Sequence, residues 1–155
     1  MSPNYLDLLA GIPPAEAQSV LALGTVVNLG AGDVLFQLGD AADAVYLIRR
    51  GRIALTLPLQ VGGEKQDVFI EERAPGQTLG WSALIPPFRF TLKATAPLET
   101  ELLALPRVPL LEYFAERPHV AYAISLNLAA VIGQRLQVFQ AMWLREMQRL
   151  VNAHA

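Results

Sequence analysis

The side chains best suited to chemistry in this 155-residue chain sit in one stretch, "GWSALIPPFRF", Gly80 to Phe90. Arg89 brings a permanent cation whose fork of donors matches a phosphate or carboxylate. Three readings of Arg89 stand open. It binds a phosphate or another small anion, it lies across Trp81 as a cation–π pair, or it is an exposed loop residue whose neighbours Phe88 and Phe90 pack inward. Trp81 offers a donor and no acceptor, so it reads as a stacking surface or a plug. Ser82 has no histidine near it in sequence, and a nucleophile–base pair would have to recruit His119.

Other catalytic chemistry finds little material. The chain has no cysteine, which removes thiolate nucleophiles and sulfur-ligated metal. His119 and His154 are the two histidines, one near the start of the last helical region and one at the terminus, without the spacing of a metal site. A metal-using β-barrel enzyme needs several histidines and carboxylates converging inside the barrel. The expectation is no catalytic residue, no metal and no enzyme.

The elements that position this stretch announce themselves by period. Pro14 to Leu23 reads as a short helix with Pro at its opening and Gly24 where it stops. From residue 25 to residue 105, short β-rich runs follow one another: "TVVNL", "DVLF", "AVYLIRR", "RIALTL", "DVFIEE", "FTLKATA" and "TELLAL". Strands so closely spaced predict a sandwich or barrel. Gly51 in "RRGR" supplies the turn of a tight hairpin, and "VGGEK" marks another. Pro86 and Pro87 remove two backbone donors, so the strand pattern must break there.

After Pro106 the period turns helical to the end. Leu128, Ile132, Leu136, Phe139, Trp143, Met147 and Leu150 form one apolar stripe, with Arg135 assigned to the polar remainder. A helix running from about Val120 to Ala153 would be about 50 Å long, more than a compact domain of this size covers. It is therefore expected to dock at its start and pair with a second copy along Leu128, Ile132, Leu136, Phe139, Trp143 and Met147. A composition 53% hydrophobic and 17% charged agrees with a buried oligomer surface. Net charge −2 lacks the basic footprint of a nucleic-acid binder, and no apolar run is long enough to span a bilayer. A single domain in the cytoplasm is expected, with helices over 1–24, a β-roll over 25–105 and helices over 106–155.

The segment "GAGDVLFQLGDAADAVYLIRRGRIAL" carries a more specific signal. Its Gly32, Leu35, Phe36, Gly39, Asp40, Asp43, Tyr46 and Gly51 resemble, in order and spacing, the opening of the cyclic-nucleotide-binding domain, the effector module of the catabolite activator family of bacterial regulators. The resemblance implies a mainly β fold with flanking helices, a double-stranded β-helix (jelly roll) of about eight strands, and a long C-terminal dimerisation helix. From the residues themselves, the three glycines read as positions of unusual φ, Phe36 and Tyr46 as core, and Asp40 as a turn cap.

The resemblance places a phosphate-binding cassette at "LGWSALIPPFRFTLKATA". Members that bind cyclic nucleotides open it with Gly-Glu, use the Glu for the ribose hydroxyl, and pair a later Arg with the phosphate. Gly80 is present here, but Trp81 stands at the Glu position. Counting back from Leu92, the arginine's place falls on Phe88, or on Arg89 if the gap lies elsewhere. A divergent pocket of Gly80, Trp81, Ser82, Ala83 and Arg89 is implied, for cAMP, cGMP or another small anion, with no other cofactor. The alternative is a ligand-free protein-interaction module whose pocket is filled by Trp81 and Phe88. Because catabolite activators carry a helix-turn-helix beyond the long helix and this chain stops at "QRLVNAHA", direct DNA binding is not expected.

Overall fold

The computed structural model describes residues 7–155, so the part of the expected N-terminal helices that falls on residues 1–6 lies outside the described residues. A 3-10 turn at Asp7–Leu9 leads to helix α1, Pro14–Leu21, with Pro at its first turn. Eight strands follow: β1 Thr25–Leu29, β2 Val34–Phe36, β3 Ala44–Arg50, β4 Ile53–Val61, β5 Glu64–Arg73, β6 Thr78–Leu79, β7 Lys93–Thr95 and β8 Thr100–Pro106. All pair antiparallel in two four-stranded sheets of order β1-β8-β3-β6 and β2-β7-β4-β5, the jelly roll that the resemblance implied.

Strand β3 explains the packing. Val45, Leu47 and Ile48 are all buried, so both faces of the strand are covered, and with Ile53, Leu55, Leu102 and Leu105 they belong to one hydrophobic core. Each such aliphatic side chain contributes about 1.5–3 kcal/mol when fully buried. The scaffold residues behave as expected. Gly32, Gly39 and Gly51 have φ of 90°, 90° and 86°. Asp40 Oδ2 accepts the Gln37 amide at 2.9 Å, closing the turn before β3.

Past β8, Pro106 serves as N-cap of α2, Arg107–Glu116, and α3 then runs from Pro118 to Ala153. At 1.5 Å per residue α3 is about 54 Å long. Its first half docks on the roll through Val120, Ile124, Leu128, Val131 and Arg135. Asn127 Nδ2 donates to the Leu8 and Ala10 carbonyls at 2.8 and 2.9 Å, and His119 Nε2 meets Glu16 Oε1 at 2.5 Å, fixing the helix start to the N-terminal turn and to α1.

That docking corrects the expected stripe at one end. Leu128 is 7% exposed and belongs to the core of its own chain, so it is not available to a second copy. Leu136 and Trp143 are 58% and 61% exposed, and Leu150 is exposed as well. Ile132 and Phe139 are partly buried against the roll and sit at the margin of that outer face. Met147 is half-buried, on a part of the helix beyond the docked half. The docked residues and the outer residues lie about a quarter turn apart at 100° per residue, giving α3 two adjacent apolar faces.

Candidate functional site

The interruption between β6 and β7 begins at Gly80, whose φ of 78° and ψ of 27° place it in the left-handed region. A side chain there would be strained, and its Cβ would approach the Tyr46 ring at 3.1 Å and the Phe90 ring at 3.3 Å. Residues Trp81–Leu84 then make a single 3-10 turn, closed by the Ala83 amide donating to the Gly80 carbonyl at 3.1 Å. The proline pair follows with a cis Pro86–Pro87 bond, and the chain returns to the sheet through Phe90. The Phe90 amide donates to the Asp40 carbonyl at 3.0 Å, which joins this segment to the Gly39–Asp40 turn.

Gly80, Trp81 and Ser82 border a cavity of about 20 Å³, together with Phe36, Phe90 and Arg135. A pocket for a drug-sized ligand is on the order of 300 Å³ or more, whereas this space suits about one water molecule. Two things fill it. The rings of Phe36 and Phe90 stack at 3.6 Å with an interplanar angle of 6°. Arg135 reaches in from α3 and pairs through Nε with Glu71 on β5.

Arg135 is 7% exposed, an unusual place for a guanidinium. Burial pulls its pKa below the usual arginine range; Glu71 pushes back, and neighbouring Arg73 adds to the lowering. Arg73 itself is buried and answered elsewhere. Its Nε donates to the Thr78 carbonyl and its Nη2 to Asp7 Oδ2, both at 3.0 Å. The cavity therefore has one cation along its wall, held by one carboxylate.

Of the residues singled out from the sequence, Gly80, Trp81 and Ser82 come together around the cavity, and two do not. Ala83 is fully buried in the core behind the turn. Arg89 is exposed, and its Nη1 donates to the Gly39 carbonyl at 3.3 Å. Among the described residues the cation–π pairs are Arg107 over Phe88 at 4.4 Å and Arg117 over Tyr113 at 4.3 Å, so Arg89 does not lie across Trp81. The same contact corrects the idea of Phe88 as a plug: its ring faces Arg107, and Phe36, Phe90 and Arg135 line the space instead. His119, engaged with Glu16, is not turned to Ser82, and no cluster among the described residues could hold a metal ion.

Sequence reasoning missed Arg135 and Glu71. The available signal was phase: Arg135 falls seven residues after Leu128, on the docked face of the helix, where an arginine needs a buried partner. Glu71 lies opposite Leu55 on β5, two residues before the buried Arg73 and on the same side of the strand.

The jelly roll, the broken strand at Gly80 and the long docked helix are the architecture of a regulatory β-roll domain. Residues 26–117 match the family model described as "Cyclic nucleotide-binding domain", and the chain belongs to that family. The cyclic AMP receptor protein of Thermus thermophilus is 30% identical over 130 residues, which is 84% of this chain and 57% of that protein. The crystal structure of the Thermus thermophilus catabolite activator protein is similar with a TM-score of 0.73 at 27% identity, over 92% of this chain and 63% of that one. The N-terminal domain of a transcriptional regulator from Streptomyces coelicolor gives a TM-score of 0.70 at 26% identity, over 83% and 89%. This chain thus spans under two thirds of the length of the two Thermus proteins. Among the described residues no helix is long and apolar enough to cross a membrane.

Proposed function

We propose that this chain is a non-catalytic sensory domain of the cyclic-nucleotide-binding family, acting in the cytoplasm as a homodimer and responding to cAMP, cGMP or another small anion. The single observation that carries the ligand part is the buried Arg135 guanidinium beside Gly80, Trp81 and Ser82. A cation kept out of water against its desolvation cost is suited to an anion. Dimerisation through Ile132, Leu136, Phe139, Trp143 and Met147 is supported by the exposure of Leu136, Trp143 and Leu150 on the outer face of α3. Output then passes through the dimer face or to a protein partner.

A second reading has its own support. The 20 Å³ cavity and the stacked phenylalanines suit an interaction module that binds no ligand at all. Calorimetric titration of the folded protein with cAMP and cGMP separates the two. Saturable heat with either nucleotide is the expected result of the first; no heat with either favours the second.

A further inference from the structure

Arg135 belongs to α3, the helix that carries the proposed dimer face, yet it lines the Gly80 cavity while its Nε pairs with Glu71. Its partner Glu71 is on β5, the edge strand of its sheet. Both side chains are largely buried, at 8% and 17% exposure. A buried guanidinium must keep a negative partner, because removing the partner leaves an uncompensated charge out of water. At present that partner is Glu71, and the same contact ties α3 to the roll.

We propose that the Glu71 carboxylate is a built-in competitor for the ligand anion: a small oxyanion entering beside Gly80 and Ser82 takes Arg135 from Glu71 and thereby unties α3 from β5. The inference rests on the ligand-sensing reading above and adds what the ligand must do. The ligand class is a small phosphate diester, phosphate or carboxylate. A neutral molecule offers Arg135 no charge in exchange, and a cation would be drawn to Glu71 instead. Occupancy and the α3 tether then exclude one another, so ligand binding biases the helix that bears Leu136 and Trp143. Exchange of one anionic partner for another also explains how a cavity holding about one water can admit a larger guest: opening and ion exchange are one event.

The test compares the wild-type chain with Glu71→Gln and Arg135→Gln, using cAMP and, separately, inorganic phosphate as probes. Glu71→Gln keeps the size and an acceptor but removes the competing charge. It is expected to lower Tm, to speed amide exchange in α3 around Val131 to Phe139 without ligand, and to bind cAMP about tenfold more tightly, the effect of one charge-assisted hydrogen bond. A merely structural role would reproduce the first two changes and not the third. Arg135→Gln is expected to abolish binding of either probe. Glu71→Asp, a shorter carboxylate expected to fall between wild type and Gln, serves if the Gln variant does not fold. Should cAMP fail with every variant while phosphate raises the Tm of Glu71→Gln and not of Arg135→Gln, the cyclic-nucleotide reading falls and the competitor stands. Equal or weaker anion binding by Glu71→Gln, or binding that survives Arg135→Gln, overturns the competitor.

Discussion

Two stretches of one roll, 30–55 and 78–96, meet at a hydrogen-bonded seam where Phe90 and Asp40 exchange backbone contact, and they carry information in different ways. In the first, every distinctive residue does a backbone or packing task. Gly32, Gly39 and Gly51 adopt positive φ, Asp40 closes its turn, and Phe36 enters the core. In the second, Gly80 keeps its left-handed turn, but Trp81 after it brings no carboxylate and Arg89 is exposed. The charged pair there joins Glu71 on β5, the strand just before this stretch, to Arg135 on α3, far along the chain. Geometry held by the backbone stays where the sequence puts it, whereas a charge needs only to reach the cavity and can come from any side.

Substitutions at both stretches sharpen this contrast, the largest effect coming from the scaffold. Gly51→Val would force a Cβ to 2.5 Å from the Glu99 carbonyl and 2.7 Å from Thr100 Cα, at a φ that branched residues avoid. A loss of roughly 4 kcal/mol is expected from strain and overpacking together, a Tm fall of about 10 °C or outright failure to fold in thermal melts. Phe36→Ala removes one ring of the stack and is expected to cost about 3–4 kcal/mol by denaturant titration. Because Phe36 also lines the cavity, a crystal structure of that variant should show a larger space beside Gly80.

Smaller effects follow at exposed positions on α3 and on the loop before β7. Phe139→Glu with Trp143→Glu should leave the thermal transition within about 1–2 kcal/mol of wild type, since Trp143 is exposed and Phe139 only partly buried. Light scattering should then report a monomer in place of a dimer. Arg89→Ala is the mildest: it removes one surface hydrogen bond of 3.3 Å and is expected to cost less than about 1 kcal/mol.

Much of the fold was legible in the sequence because its signals are local. β1 and β3 occupy the residues that their apolar runs marked, and α3 starts at Pro118, two residues before the expected Val120. β6 went unseen because two residues, Thr78 and Leu79, carry no period. "FTLKATA" overstated β7, where only Lys93–Thr95 pair with β4 and neighbouring β2. At the site, Gly80 and its two followers were readable from their own residue types. Arg135 was not, since a charged residue on an amphipathic helix ordinarily faces water, and only the roll beneath α3 turns its phase inward. Leu128 was misassigned for the same reason, the docked and outer faces being neighbours on one helix.

In the proposed site the cation is Arg135 and not Arg89. The most direct test is to titrate cAMP calorimetrically into wild type, Arg135→Gln and Arg89→Ala side by side, with folding verified for each. Arg89→Ala is expected to bind within about twofold of wild type, while Arg135→Gln shows no saturable heat. Loss of binding in Arg89→Ala with retention in Arg135→Gln would overturn that assignment and return the anion site to the Pro86–Phe90 loop.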